Sequence, residues 1–335
     1  MKSHWIRSLL QPVRWLLSRL LLAGMAVWVT AAIYYSNLPA QWLRTLAAVL
    51  FALGTVTLFV RVRPAWKAKL IFLAAFAGVV AWFLVIPPSN DRDWQPDVAI
   101  LPSAEIDGDT LAVHNIRNCD YRTETDYTTR YYDRTFDLSK LQSVDLYVVH
   151  WGSPAIAHTM LSFGFGGDDY LCFSIETRKE KGEAYSTIKG FFRQYEITYI
   201  VADERDLVRL RTNYRGEQVY LYRLNTDLPL ARSVLLDYFR TINHLKLHPE
   251  WYNALTDNCT TSIRQHTYPY AHKVRWDWRI LLNGYVDELA YQAGALDRSV
   301  PFADLKQRSL INDRAKAAGD RSDFSARIRE GLPGF

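Results

Sequence analysis

Three long apolar runs, residues 16–35, 42–60 and 70–86, constrain the fold of this chain more than any other feature. Each approaches the roughly 20 residues a helix needs to cross a hydrocarbon core. A cleaved signal peptide is the rival reading of the first run. It would end at a small-residue cleavage site, whereas Ser36-Asn37-Leu38-Pro39 leads straight into the next apolar run. The expectation is three transmembrane helices over residues 1–88, followed by one soluble domain over residues 89–335. The overall hydrophobic fraction of 49% averages these unlike parts and describes neither.

Basic residues set the expected orientation. Lys2, Arg7, Arg14 and Arg19 gather at the first run, Arg61, Arg63, Lys67 and Lys69 fill the second connection, and the loop 36–41 carries no charge. Cytoplasmic loops retain Lys and Arg. The N-terminus is therefore expected in the cytoplasm, at a bacterial inner membrane, with everything after Pro87-Pro88 in the periplasm. The net charge of +5 comes largely from these flanks. With no zinc-finger spacing and no basic stretch interleaved with aromatics, nucleic acid is not expected as a partner.

In the soluble part, residues 98–101 and 110–113 flank Asp107-Gly108 and read as a hairpin. Residues 117–137 alternate charges with Tyr, the pattern of a surface arm whose guanidinium groups pair with neighbouring acids. A strand is expected at 143–150. The segment 158–178 holds two alternating runs around Gly166-Gly167-Asp168-Asp169, an antiparallel hairpin. Leu161, Phe163 and Phe165 share an apolar face with Leu171, Phe173 and Ile175 only if paired residue numbers add to an even sum. With the turn centred on Gly167, His158 then falls opposite Glu176. The other face gathers His158, Met160, Ser162 and Gly164 with Cys172, Ser174 and Glu176, and is expected to carry the polar chemistry. Further strands are expected at 197–202 and 219–224, a helix at 228–245 with Pro229 in its first turn, and a charged helical tail at 312–330.

There are three cysteines, Cys119, Cys172 and Cys259, and an odd count in an oxidising compartment leaves a thiol unpaired. Asp257 or Asn258 is a good N-cap, which puts Cys259 in the first turn of a helix. Exposed N–H groups and the positive end of the macrodipole favour thiolate there. An imidazole within reach completes a nucleophile. His158 is the candidate base, with Glu176 to orient it, and Asn258 and Ser174 are candidate supporting residues. Plainer readings stand beside these: Cys259 as a small core residue, His158 as the end of a strand, Glu176 paired with Arg178 or Lys179. His150 and His266 are competing bases. Cys172 lies about 13 Å from the His158 row by strand rise, so Cys172 or Cys119 is packed, or the two are bonded to each other. The acid-rich runs 176–183 and 203–206 are interleaved with Arg and Lys and read as internal ion pairs. No transition-metal spacing is present, so no metal or cofactor is expected.

The runs His158-Thr-x-Leu-Ser-Phe-Gly-Phe, Ser174-Ile-Glu-Thr-Arg-x-Glu-x-Gly-Glu-x-Tyr, Tyr199-Ile-Val-Ala-Asp-Glu-Arg-Asp and Asp257-Asn-Cys-Thr-Thr occur in this order. Together, over about residues 115–263, they resemble the Lnb N-terminal periplasmic domain family, named for a bacterial lipoprotein N-acyltransferase. The resemblance implies an α+β fold, a circularly permuted papain-like (NlpC-like) domain with an antiparallel sheet and helices, in which the histidine strand precedes the cysteine helix. It implies a catalytic Cys259 and His158, with Glu176 as third member. The expected activity is a membrane-anchored thiol acyltransferase moving a chain from phospholipid to an amine, plausibly a lipoprotein N-terminus. Two alternatives stand beside it: a cysteine peptidase or amidase acting on cell-wall peptides, and a non-catalytic membrane-anchored binding domain.

Overall fold

The computed structural model describes residues 2–271 and 276–335, with side chains from residue 11 onward. The side chains of Lys2 and Arg7, counted above among the flanking cations, lie outside the described residues. The chain divides into two compact units: residues 1–88 with 186–194, and residues 89–185 with 195–335.

The first unit is built on α1 (Lys2–Tyr34), α2 (Gln41–Arg61) and α3 (Ala65–Val85). All three are long and apolar enough to cross a membrane. Val29, Ile33 and Ala48 pack together among Trp28, Phe51 and Phe76, while Leu20, Leu53 and Leu84 face outward. An outward apolar surface on helices whose backbone bonds are internally satisfied suits a hydrocarbon solvent. Residues 186–194 belong to this unit. Arg193 donates to the carbonyls of Phe83 and Leu84 at 3.0 and 2.9 Å, at the end of α3 where helical carbonyls lack partners.

The second unit is built on a large mixed sheet. Its strands are β1 (Ser103–Asp107), β2 (Thr110–Arg117), β5 (Tyr131–Asp137), β6 (Ser143–His150), β7 (Ala157–Gly164), β8 (Tyr170–Arg178), β9 (Glu196–Ala202) and β10 (Gln218–Arg223); β3 (Asp120–Tyr121) and β4 (Tyr127–Thr128) form a separate small pair. The order across the sheet is β1-β2-β9-β8-β7-β6-β10, with β5 also on β2. Every pairing is antiparallel except β2 with β9, which is parallel, so the sheet is mixed rather than purely antiparallel. Helix α4 (Glu204–Arg209) follows β9 and runs into a π-helical turn, Leu210–Tyr214. The later helices are α5 (Leu228–Leu247), α6 (Cys259–Thr267), α7 (Val286–Gln292), α8 (Phe302–Arg308), α9 (Asn312–Ala318) and α10 (Phe324–Arg327).

The β7–β8 hairpin sets the layers. Its pairs run from Gly164↔Tyr170 to Met160↔Ser174, all with the same even sum, about a turn in which Gly166 and Gly167 take φ of 98° and 59°. Such φ values suit glycine. In this register Leu161, Phe163, Leu171, Phe173 and Ile175 all enter one core with Leu235, Tyr238 and Phe239 of α5. The opposite face is not uniformly polar as expected. Met160 and Cys172 lie in a second core with Leu207 and Val208 of α4, Ala315 of α9 and Phe324 of α10. Helices cover both faces, and the polar groups of this face lie in two places: at the strand end that carries His158, and around Ser162 beside the buried Asp145.

Three expectations shift. The first hairpin exists, but its leading strand begins at Ser103 instead of residue 98. Arg178 takes the carbonyls of Val98 and Ala99 at 2.9 and 2.8 Å, and Pro102 has no N–H for a ladder. The Tyr- and Arg-rich segment does pair its guanidinium groups with acids, as Arg122 with Asp126 and Arg134 with Asp169. It also supplies β5 to the main sheet, because Phe136 alternates inward to the core. The tail is two short helices, broken at Gly319 where φ is +60°.

Candidate active site

Asn258 caps α6. Its side-chain oxygen accepts from the N–H groups of Thr260 and Thr261, both at 3.0 Å. This fixes Cys259 as the first helical residue, against the start of β7. The Thr159 N–H donates to Sγ at 3.4 Å, and the Thr159 and Thr260 hydroxyls meet at 3.1 Å. Asn283 completes the surround, with Nδ2 at 3.5 Å from Sγ. Cys259 is 7% exposed.

The three cysteines, all free and buried, are sharply different acids. Burial drives the Cys172 thiol well above its ordinary value. Burial and the neighbouring Asp206 push Cys119 up to about 12. Burial works the same way on Cys259, but the imidazole of His158, hydrogen-bonded to the thiol, and the Thr159 contacts overcome it and bring the value down to about 7. The Cys119–Cys172 bond weighed from sequence is not formed.

The protonation pattern around His158 follows from its partners. Its Nε2 lies 2.6 Å from Ser174 Oγ, and Ser174 donates to Glu176 Oε1 at 2.7 Å. Arg211 donates to the same Oε1 at 2.9 Å. Burial opposes the charge on Glu176, yet Arg211 and then His158 hold this carboxyl well below its usual range, so it is an ionised acceptor. A hydroxyl committed to that carboxylate can only accept from Nε2–H. The remaining ring nitrogen, Nδ1, then carries the lone pair and is free for the thiol proton. Glu176 does not touch the imidazole directly: Oε1 is 4.0 Å from Nε2, and Ser174 bridges the gap. Arg211, which was not singled out from sequence, lies in the π-helical turn after α4 and reaches Glu176 from there.

Cys259, His158, Ser174 and Glu176 thus come together at one end of β7 and β8. Asn258 is adjacent, but its side chain is committed to the cap. The two competing histidines lie elsewhere. His266 is held between Tyr199 at 2.7 Å and Asp237 at 2.8 Å. His150 lines a cavity of about 540 Å³ with Trp151, Tyr220 and Lys306. Asn283 was not singled out from sequence; its only signal is the Asn-Gly dipeptide, which reads as an ordinary turn. Among the described residues no group of three His, Cys, Asp or Glu side chains is placed to hold a metal ion.

Residues 127–284 match the family model described as the Lnb N-terminal periplasmic domain, a span that takes in Cys259, His158, Ser174, Glu176 and Asn283. No curated protein and no solved structure matches the chain.

Proposed function

With an Lnb N-terminal periplasmic domain over residues 127–284 and three helices able to cross a membrane, the chain is a membrane protein with a periplasmic domain, and we propose that it is a thiol acyltransferase. The donor is a phospholipid ester and the acceptor an amine, of which a lipoprotein N-terminus is the best-suited source. The observation that carries this reading is the buried Cys259 thiol, brought down to about 7 by His158 while the other two thiols are driven up.

The chemistry runs in two halves. His158 Nδ1 takes the thiol proton as Sγ attacks the ester carbonyl carbon. The C–S bond forms, the C–O bond breaks, and the lysophospholipid oxygen leaves with the proton from His158. An amine then attacks the thioester, His158 accepts its proton, and the C–S bond breaks to return the thiolate. Ser174 and Glu176 hold the imidazole in the tautomer that each half needs. Three membrane helices favour transfer over hydrolysis, because donor and acceptor are both confined to the bilayer. The basic flanks support an N-terminus in the cytoplasm and a domain on the periplasmic side of the inner membrane.

The test is intact-protein mass spectrometry of the full chain in micelles with phosphatidylethanolamine. Wild type is expected to gain one acyl mass and Cys259→Ser none, and a diacylated lipopeptide with a free amine is expected to clear the adduct by accepting the chain. Clearance by water at the same rate would make the protein a hydrolase. Full function of Cys259→Ala in cells, with no adduct on wild type, would remove the enzymatic reading.

A further inference from the structure

Asn283 is 5% exposed, and its amide has one permitted orientation. The Ala157 N–H donates to Oδ1 at 2.9 Å, which turns Nδ2 toward Thr260 Oγ1 at 3.0 Å and Cys259 Sγ at 3.5 Å. Flipping the amide would leave the buried Ala157 N–H without an acceptor. The next residue is clamped as well. Gly284 N–H donates to the Ala155 carbonyl at 3.0 Å, and a Cβ at Gly284 would meet the Pro154 carbonyl oxygen at 2.0 Å. Only glycine permits that approach. One backbone bond at Gly284, one bond from the Ala157 N–H to the amide oxygen and one obligatory glycine therefore fix this amide against the nucleophile.

Nδ2 has two hydrogens. One is held by Thr260, and the other points at sulfur, where it strengthens once the sulfur is charged. When Sγ bonds to a carbonyl carbon, the negative charge leaves sulfur for the carbonyl oxygen, one bond further on. We propose that Asn283 is an oxyanion donor, whose Nδ2–H passes from the attacking sulfur to the tetrahedral oxygen during acylation and deacylation. The inference rests on the acyl-transfer reading above and adds a catalytic residue to it. The Thr159 N–H, also directed at Sγ at 3.4 Å, can share that role, whereas two neighbouring polar side chains are occupied. Asn258 spends its oxygen on Thr260 and Thr261 and directs its Nδ2 to the Ala254 carbonyl at 3.3 Å. Ser174 is committed between His158 and Glu176.

Two probes separate an oxyanion role from a merely positional one. Iodoacetamide alkylates sulfur at a saturated carbon and builds no oxyanion. p-Nitrophenyl octanoate acylates it through a tetrahedral oxyanion, with a C–S bond formed, a C–O bond broken and p-nitrophenolate released. In the full chain in micelles, Asn283→Ala is expected to slow acylation about 10²- to 10³-fold. Alkylation above pH 9, where the thiol is fully ionised, is expected to change little. Equal falls with both probes, or acylation at the wild-type rate, would overturn the proposal.

A second measurement uses the wild type alone, in case Asn283→Ala does not fold. Replacing the probe's carbonyl oxygen by sulfur, a poor hydrogen-bond acceptor, is expected to slow Cys259 more than it slows free cysteine. Equal sensitivity overturns the proposal. A wild type that alkylates readily but never acylates would instead sink the acyl-transfer reading itself, and Asn283 with it.

Discussion

A thiol taken out of water ordinarily holds its proton more tightly, and Cys119 and Cys172 obey that rule. Cys259 departs from it because an imidazole partner and the Thr159 N–H stabilise the charged sulfur. Removing the imidazole leaves burial opposed by the weaker contacts alone. His158→Ala is therefore expected to move the midpoint of Cys259 alkylation from near pH 7 to above 9, cutting the rate at pH 7 about 50-fold. The sign is fixed by the physics: burial raises a thiol, so loss of the imidazole that opposes it cannot lower the midpoint. An unchanged iodoacetamide profile would mean that His158 does not ionise this thiol. At this scale the sequence was readable where periodicity speaks. Alternation in 158–178 implied the even register that brings His158 toward Glu176. It could not show that Ser174 stands between them, because a gap of about one hydroxyl is decided by side-chain reach, which no periodicity records. Nor could it find Arg211 or Asn283, whose partners lie far away along the chain.

Among the elements, α6 shows how a cap becomes part of a site. The cap was legible to within one residue, Asp257 or Asn258, because an amide or carboxylate side chain followed by Cys-Thr-Thr offers an acceptor to otherwise orphaned N–H groups; the structure has Asn258 in that place. Asn258→Ala is expected to cost about 1 kcal/mol in a urea melt, the usual loss for a cap, and to slow ester acylation by letting the first turn fray around Cys259. Asn258→Asp separates the two effects. It keeps the cap and should hold stability, while its negative charge beside Sγ should raise the thiol's midpoint. If the Asp variant alkylates with the wild-type profile, the charge at the helix start is not felt by the sulfur. The π-helical turn after α4 was not legible. It depends on tertiary packing that puts Leu210, Arg211 and Thr212 inside the protein, and local propensity carries no mark of such a turn.

Across the whole second unit, the relay is connected to a buried ion network around Arg329. Arg329 bonds Asp145 at 2.7 Å and Glu204 at 2.6 Å, joining the turn after α10 to β6 and to the start of α4. Helix α4 in turn leads into the π-helical turn that aims Arg211 at Glu176. Arg223 also holds Asp145, and Tyr147 donates to Glu204 at 2.7 Å, so both acids keep one partner when Arg329 is lost. Burial raises Asp145 even with both guanidinium groups present, whereas Arg329 overcomes burial to hold Glu204 below its usual value. Arg329→Met leaves Glu204 without its cation and is expected to cost about 3–5 kcal/mol at pH 7. The pH dependence follows from the sign of each shift. In wild type, the Glu204 contribution is present above the unfolded carboxyl value and is lost as pH falls through the depressed folded one. In the Met variant both carboxyls bind protons more tightly when folded, so the variant regains stability as pH falls through their raised values. The gap between the two proteins should therefore narrow from pH 7 to pH 4.5 in urea melts. A gap that stays constant would show that these acids do not depend on Arg329 for their charge, and that the tail braces the α4 strut by packing alone.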